Sequence, residues 1–164
     1  MNIEIERKFL VKGDFRPFAV RSVRIKQAYL TTDPERTVRV RLIGDKAVLT
    51  IKGAGNAKGV SRLEFEYPIP YTDAQEILSI ARGCIDKERY YVPCGRHEYE
   101  VDVFHGRHEG LIIAELELSS EDEAFDRPDW LGAEVTGKSQ YYNANLSASD
   151  GADISTTSFD MNNH

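Results

Sequence analysis

The sequence predicts an α+β chain built mainly of antiparallel β-strands, about eight of them, closing into a barrel with a polar interior. Three observations carry that prediction. Eight segments alternate apolar and polar residues with period two, as strands with two unlike faces do. Several connections, Gly44-Asp45 and Gly95 among them, are short and of hairpin type. The polar faces are sorted by sign, cationic on some strands and anionic on others. A merely solvated face usually intersperses charges, because like charges directly opposite one another destabilise a sheet.

Residues 3–11 (IEIERKFLV) place Glu4, Glu6 and Lys8 on one face and Ile3, Ile5 and Phe9 on the other. A turn or short helical start follows at 13–17. Strands are expected at 23–32, ending at Asp33-Pro34, and at 37–43, where Val38, Val40 and Leu42 oppose Arg39 and Arg41. The strand at 47–52 puts Lys52 in phase with Thr50 and Val48. Glycines 53, 55 and 59 make a flexible loop, and 62–69 sets Leu63, Phe65 and Tyr67 against Glu64 and Glu66. A helix is expected over 72–81, with Thr72 as cap, Gln75 at the capping-box position and Ile77, Leu78 and Ala81 as its apolar stripe. Strands return at 85–92 (Lys87 and Arg89 in phase), 98–105 (Glu98, Glu100 and Asp102) and 111–118 (Glu115 and Glu117). A capped turn or short helix is expected at 119–125 and a last helix at 139–146. The chain reads as one domain over 1–147 and a polar tail over 148–164.

With 164 residues, 41% of them hydrophobic, the chain can bury a real core. Its net charge of −6 argues against a general nucleic-acid binder. No apolar run approaches a membrane span. Cys84 and Cys94 fit neither a zinc pattern nor a disulfide framework, and no signal peptide is visible, so a cytoplasmic setting with reduced thiols is expected. The Asn145-Leu146-Ser147 sequon then carries no meaning.

So many inward-facing charges cannot sit in a dry core, since an uncompensated buried charge costs several kcal/mol. They require a water-filled tunnel, with Ile3, Ile5, Phe9 and the other apolar faces outward beneath helices or a partner subunit. Arg39, Arg41 and Arg89 offer fork-shaped donors for phosphate oxygens, and Lys52 and Lys87 add point charges. Clustered carboxylates without His or Cys are hard oxygen ligands, suited to Mg²⁺ or Mn²⁺ rather than Zn²⁺. Cationic and metal-holding walls facing one another are the layout of phosphoryl transfer.

Three signals are set aside. Residues 132–139 (GAEVTGKS) match the Walker A pattern, but no buried parallel strand precedes them, and a turn leading into the last helix is expected instead. His105 and His108 flank a hairpin turn and are expected in solvent rather than on zinc. Trp130, Tyr90 and Tyr91 are expected to pack.

Taken together, Glu4-Ile5-Glu6-Arg7-Lys8 resembles the ExExK signature of the CYTH, or triphosphate tunnel metalloenzyme, family. The Arg39/Arg41 pair, Lys52, Glu64/Glu66, Lys87/Arg89, Asp102 and Glu115/Glu117 follow in the family's order, and Lys138 and Tyr141-Tyr142-Asn143 resemble its C-terminal segment. The resemblance implies an eight-stranded antiparallel tunnel that binds triphosphates with divalent metal. It implies metal-binding roles for Glu4, Glu6, Glu115 and Glu117, with Asp102, Glu64 and Glu66 as further acidic wall. Lys8, Arg39, Arg41, Lys52, Lys87, Arg89 and Lys138 would hold substrate. Tyr29 and Lys87 match a tyrosine–lysine dyad of the short bacterial tripolyphosphatases, so Lys87, Tyr29 and Glu4 are the expected catalytic residues. Hydrolysis of inorganic tripolyphosphate to pyrophosphate and phosphate is the expected activity. A class IV-type adenylyl cyclase, a thiamine or nucleoside triphosphatase, and a non-catalytic polyphosphate-binding module are the alternatives. The outward apolar faces also make a homodimer plausible.

Overall fold

The computed structural model describes residues 3–31, 33 and 35–148. The chain forms strands β1 (Ile3–Val11), β2 (Arg21–Thr31), β3 (Arg36–Ile43), β4 (Lys46–Gly55), β5 (Ser61–Pro68), β6 (Arg82–Cys94), β7 (His97–Phe104), β8 (Ile112–Glu117) and β9 (Leu131–Glu134), with helices α1 (Tyr71–Ile80) and α2 (Asn143–Ala148). The strand order is β5-β4-β3-β2-β6-β7-β8-β1-β9, and a β5–β1 pairing closes β1 to β8 into an antiparallel barrel. Eight strands were expected in the wall and eight form it.

β1 is the seam. One of its edges runs along β8, with Glu6 opposite Glu117 and Lys8 opposite Glu115. The other edge is shared: Ile3, Glu4 and Ile5 pair with β5, whereas Phe9 and Val11 pair with β9. The ninth strand was not expected, because its four residues are too few to show alternation. The bidentate Arg7–Glu134 pair, at 2.7 and 2.6 Å, fastens it. Residues 132–139 therefore contain an antiparallel edge strand and a turn, the opposite of the context a phosphate-binding P-loop needs.

The apolar faces point outward, as expected, but loops cover them more than helices do. Phe9 is 0% exposed and packs with Tyr99, Val101, Leu116 and Val92 under Phe15, Phe125, Trp130 and Leu131, all from connecting segments or β9. Edge-to-face contacts at 5.2–6.1 Å join Phe15 to Tyr90 and Trp130, and Tyr99 to Trp130. α1 covers only β3 and β4, setting Ala74, Ile77 and Leu78 against Val40, Leu42, Ala47 and Leu49. Ile3 stays 46% exposed, with Ile51 and Leu63 also in solvent on that flank.

The interior is not charged throughout. Leu10, Ile85, Phe104 and Ile113 share the inward phase of Lys8, Lys87, Asp102 and Glu115, yet they cluster with Leu111, Val135, Tyr141 and Leu146. This apolar plug fills one end of the barrel, and α2 belongs to it.

Local details differ from the sequence expectation. α1 starts one residue early, with Pro70 at its N-cap and no side-chain cap hydrogen bond. Of the turn or short helix expected at 119–125, the chain takes the turn, with Ser119 N donating to Glu123. The expected last helix splits into a 3₁₀ turn (Ser139–Tyr141) and α2. His108 is buried rather than solvated, and its Nε2 hydrogen-bonds the Leu146 carbonyl at 2.6 Å, tying the plug down. β2 ends at Thr31; Pro34 of the expected turn and the tail beyond Ala148 lie outside the described residues.

If the outer clusters are the real core, Leu116→Ala should cost about 2–5 kcal/mol in a denaturant titration, the range for an aliphatic core truncation. A loss below about 1 kcal/mol would show that the outward face is not the one that holds the barrel together.

Candidate functional site

Alternation brings side chains from all eight wall strands into one cavity of about 270 Å³. It is lined by Glu4, Glu6 and Lys8 of β1, Tyr29 of β2, Arg39 and Arg41 of β3, Lys52 of β4 and Arg62, Glu64 and Glu66 of β5. Arg89, Glu100, Glu115 and Glu117 continue the wall on β6 to β8, and Asn143 comes from α2. Most of the expected site residues are thus brought together. Lys138 is exposed and does not line the cavity, although Thr136 and Gly137 of the same turn stand at its rim. Arg62, Glu100 and Asn143 were missed. Arg62 was legible, two residues before Glu64 on the same face; Asn143 was not, since no strand period carries it.

The cations are held by the carboxylates that face them. Lys52 Nζ reaches both Glu4 oxygens at 3.0 and 3.1 Å and Glu64 at 3.5 Å, while Arg62 Nε lies 3.5 Å from Glu4. Burial opposes ionisation of Glu4, but Lys52 and Arg62 hold its carboxyl below the usual range. Arg89 lies at the centre of the densest network. It grips Asp102 twice, at 2.7 and 2.9 Å, and reaches Glu115 and Glu100 at 3.1 Å each. Lys87 Nζ donates to Asp102 Oδ2 at 2.7 Å and to Asn143 Oδ1 at 3.5 Å.

Two placements correct the sequence reading. Asp102 is 1% exposed, does not line the cavity and is saturated by Arg89 and Lys87. It stands as the counterion of Arg89 and Lys87, behind the acidic wall where the sequence reading had placed it. Lys87 is 0% exposed and also lies behind the lining, where burial, only partly offset by Asp102, lowers its ammonium pKa to about 8. Among the described residues no hydrogen bond joins Tyr29 to Lys87; Tyr29 stands opposite Arg39 instead.

Arg39 and Arg41 are under-committed. Arg39 donates to Thr50 at 3.3 Å, and Arg41 faces Glu66 at 3.6 Å. The buried Nε of each has no hydrogen-bond partner among the described residues. Burial, with Arg39 and Arg89 nearby, lowers the Arg41 pKa to about 10. Unpaired buried guanidinium donors held together against their mutual repulsion are an anion site.

The opposite wall shows the converse imbalance. Burial, then the Glu115 and Glu4 carboxylates, push the Glu6 carboxyl well above the usual range. Despite burial, Lys8, Arg89 and Lys87 hold Glu115 well below that range. Burial and neighbouring carboxylates also raise Glu64 and Glu117. Carboxylates crowded against one another on β1 and β8 leave a place that a cation fits, and the donors there are all oxygen. The expected metal set is divided, however: among the described residues no three Asp, Glu, His or Cys side chains close into a cage. Glu4 and Glu64 are taken by Lys52, and Glu66 faces Arg41.

At the rim, the β4–β5 loop packs against the turn after β9. A Cβ on Gly59 would lie 2.5 Å from the Gly137 Cα, and both glycines have positive φ. Only glycine permits that approach. Beside it the Tyr142 ring lies 5.4 Å from the Lys8 ammonium and 5.5 Å from the Arg62 guanidinium.

Such a chamber belongs to a protein that takes a small polyanion together with cations. Comparison with known proteins agrees: the CYTH domain model matches residues 2–148, and the chain belongs to that family. It is 45% identical over 148 residues to an inorganic triphosphatase of Acetivibrio thermocellus, covering 89% of this chain and 94% of the relative. It is 38% identical over 152 residues to an inorganic triphosphatase of Nitrosomonas europaea, covering 89% and 97%. The crystal structure of the inorganic triphosphatase NE1496 superposes with a TM-score of 0.64 at 34% identity, covering 88% of this chain and 97% of that one.

The raised Glu6 gives a signed prediction. An acid whose folded pKa exceeds its unfolded value destabilises the fold once pH rises above the unfolded range, and fully above the folded pKa. In metal-free buffer, Glu6→Gln should therefore raise the melting temperature near pH 8 by roughly 2–4 °C, the shift that about 1 kcal/mol makes in a domain of this size. Near pH 4 the two proteins should melt together. A variant that melts lower than the parent at pH 8 would contradict the assignment.

Proposed function

We propose that the protein hydrolyses inorganic tripolyphosphate to pyrophosphate and phosphate inside the charged cavity, with a divalent cation, Mg²⁺ or Mn²⁺. The observation that carries this reading is the pair of buried, under-committed guanidinium groups, Arg39 and Arg41, facing a wall of surplus carboxylates. The names of the two relatives, each covering most of this chain, support it.

The cationic wall can grip a chain of phosphates: Arg39, Arg41 and Arg89 by forked hydrogen bonds, Lys8 and Lys52 as point charges released from their carboxylates. Glu4, Glu6, Glu115 and Glu117, adjacent on β1 and β8, would hold the cation. When bound it supplies charge neutralisation and polarisation of the phosphoryl oxygens. Glu4, kept ionised by Lys52 and Arg62, is an acceptor that can orient water at the phosphorus. The apolar plug closes one end of the barrel, so substrate enters and product leaves at the end marked by the more exposed Glu66 and Glu100. Little covalent chemistry is asked of the protein, because phosphoryl transfer is chiefly positioning and neutralisation of charge. Lys87 acts from behind the wall, as a cation that holds Asp102 and through it Arg89.

The deciding experiment measures phosphate release and products with tripolyphosphate, ATP and thiamine triphosphate, each with Mg²⁺ or Mn²⁺. Pyrophosphate and phosphate from tripolyphosphate, at a kcat/KM at least tenfold above the other two, are expected. Cyclic AMP from ATP, or no turnover at all, would overturn the reading. A pH profile tests Lys87. Its ammonium is charged below about pH 8 and neutral above. As a cation it should support kcat/KM below that pH and lose its contribution as pH rises through it. Lys87→Met should lower the acid-side plateau and abolish that fall; an unchanged profile would remove Lys87 from the site.

A further inference from the structure

Among the described residues that line the cavity, Asn143 alone comes from outside the strands. It stands beside the Arg89 network, next to Lys87 and Asp102, both shut off from solvent. The Asn143 Oδ1 accepts from Lys87 Nζ at 3.5 Å, and through this contact that ammonium meets α2. Lys87 is otherwise engaged by Asp102 at 2.7 Å and lies 5.4 Å from the centre of the Phe104 ring. The other end of the Asn143 amide, Nδ2, has no hydrogen-bond partner among the described residues, and the side chain faces the same chamber as Arg89 and Glu115.

We infer that Asn143 is a substrate-contacting residue polarised by Lys87, its Nδ2 donating to a phosphoryl oxygen while its Oδ1 receives the ammonium. The chemistry follows from the amide. A cation on the carbonyl oxygen draws electron density from the nitrogen and strengthens N–H donation, since linked hydrogen bonds polarise one another. The charge of a lysine with no access to the cavity is thereby delivered into it, without a second ammonium crowding Arg89. The segment that brings Asn143 is pinned on both sides. Leu146 sits in the apolar plug and its carbonyl takes the His108 hydrogen bond, while the Tyr141 carbonyl accepts from Lys8 Nζ at 3.5 Å. The amide is thus held in place by the core rather than by a free loop.

The inference rests on the cavity being a polyphosphate site, and the test separates the two. The dissociation constant for tripolyphosphate is measured by calorimetry in metal-free buffer for the parent, Asn143→Leu, Lys87→Met and the double variant, with melting temperatures alongside. Asn143→Leu should weaken binding about tenfold, and Asn143→Asp, which keeps the acceptor but turns the donor into an anion, should weaken it more. In the Lys87→Met background, Asn143→Leu should cost less than about threefold, because the two act as one unit. Parent-like binding by Asn143→Leu, or losses that multiply in the double variant, would overturn the inference. A parent protein that binds no tripolyphosphate would instead overturn the functional reading. A purely structural role would lower the melting temperature of both Asn143 variants alike and would not rank them by donor chemistry.

Discussion

A closed barrel that turns its charges inward has to balance each of them within reach, because water enters only as far as the cavity extends. Removing a charge from solvent costs several kcal/mol, and the structure meets that constraint in two ways. On the β6–β7 side compensation is complete: Asp102 takes three donors from Arg89 and Lys87 and is closed to solvent. On the β1, β3 and β8 walls it is left incomplete, with guanidinium donors unpaired and the Glu6 carboxyl pushed up by burial and by Glu115 and Glu4. The completed network is scaffold. The incomplete one is where a ligand has free energy to gain.

This division explains which parts of the site the sequence displays. Period-two alternation reports the face of a strand but not the depth of a residue along the barrel. It therefore placed Glu4, Glu6, Lys8, Arg39, Arg41 and Glu115 on the inner wall, where the structure has them. It equally put Asp102 and Lys87 on that wall, although both lie behind the cavity lining. It could not show that Leu10, Ile85, Phe104 and Ile113, on the inward phase of their strands, make a dry plug, since isolated apolar residues at strand ends look like ordinary boundaries. β9 and Asn143 were hidden for a different reason. Four residues carry no period, and an asparagine that opens a six-residue helix has no local signature of a binding role.

The covering of the barrel follows the same economy. The outward faces of β1, β6, β7 and β8 need a thick lid, and the segments after β1 and β8 supply it with Phe15, Phe125 and Trp130. The face of β3 and β4 needs less, and the ten residues of α1 suffice. Helical cover was expected because amphipathic helices announce themselves in sequence. Loops that bury aromatic rings do not.

The shared edge of β1 has a consequence for the order in which the molecule can assemble. The first strand finds its neighbours at Ser61 to Leu63, at 113–117 and at 131–134, and none of these exists while the early hairpins β2–β3 and β3–β4 are forming. Those hairpins can collapse on short loops, but seating β1 needs contacts about 60 residues apart with β5 and more than a hundred apart with β8 and β9, which are slow to find. Until β8 and β9 arrive, Glu4, Glu6 and Lys8 sit on an open ribbon in full solvent, where their charges cost little. The most expensive electrostatic step, enclosing them, coincides with the last topological one.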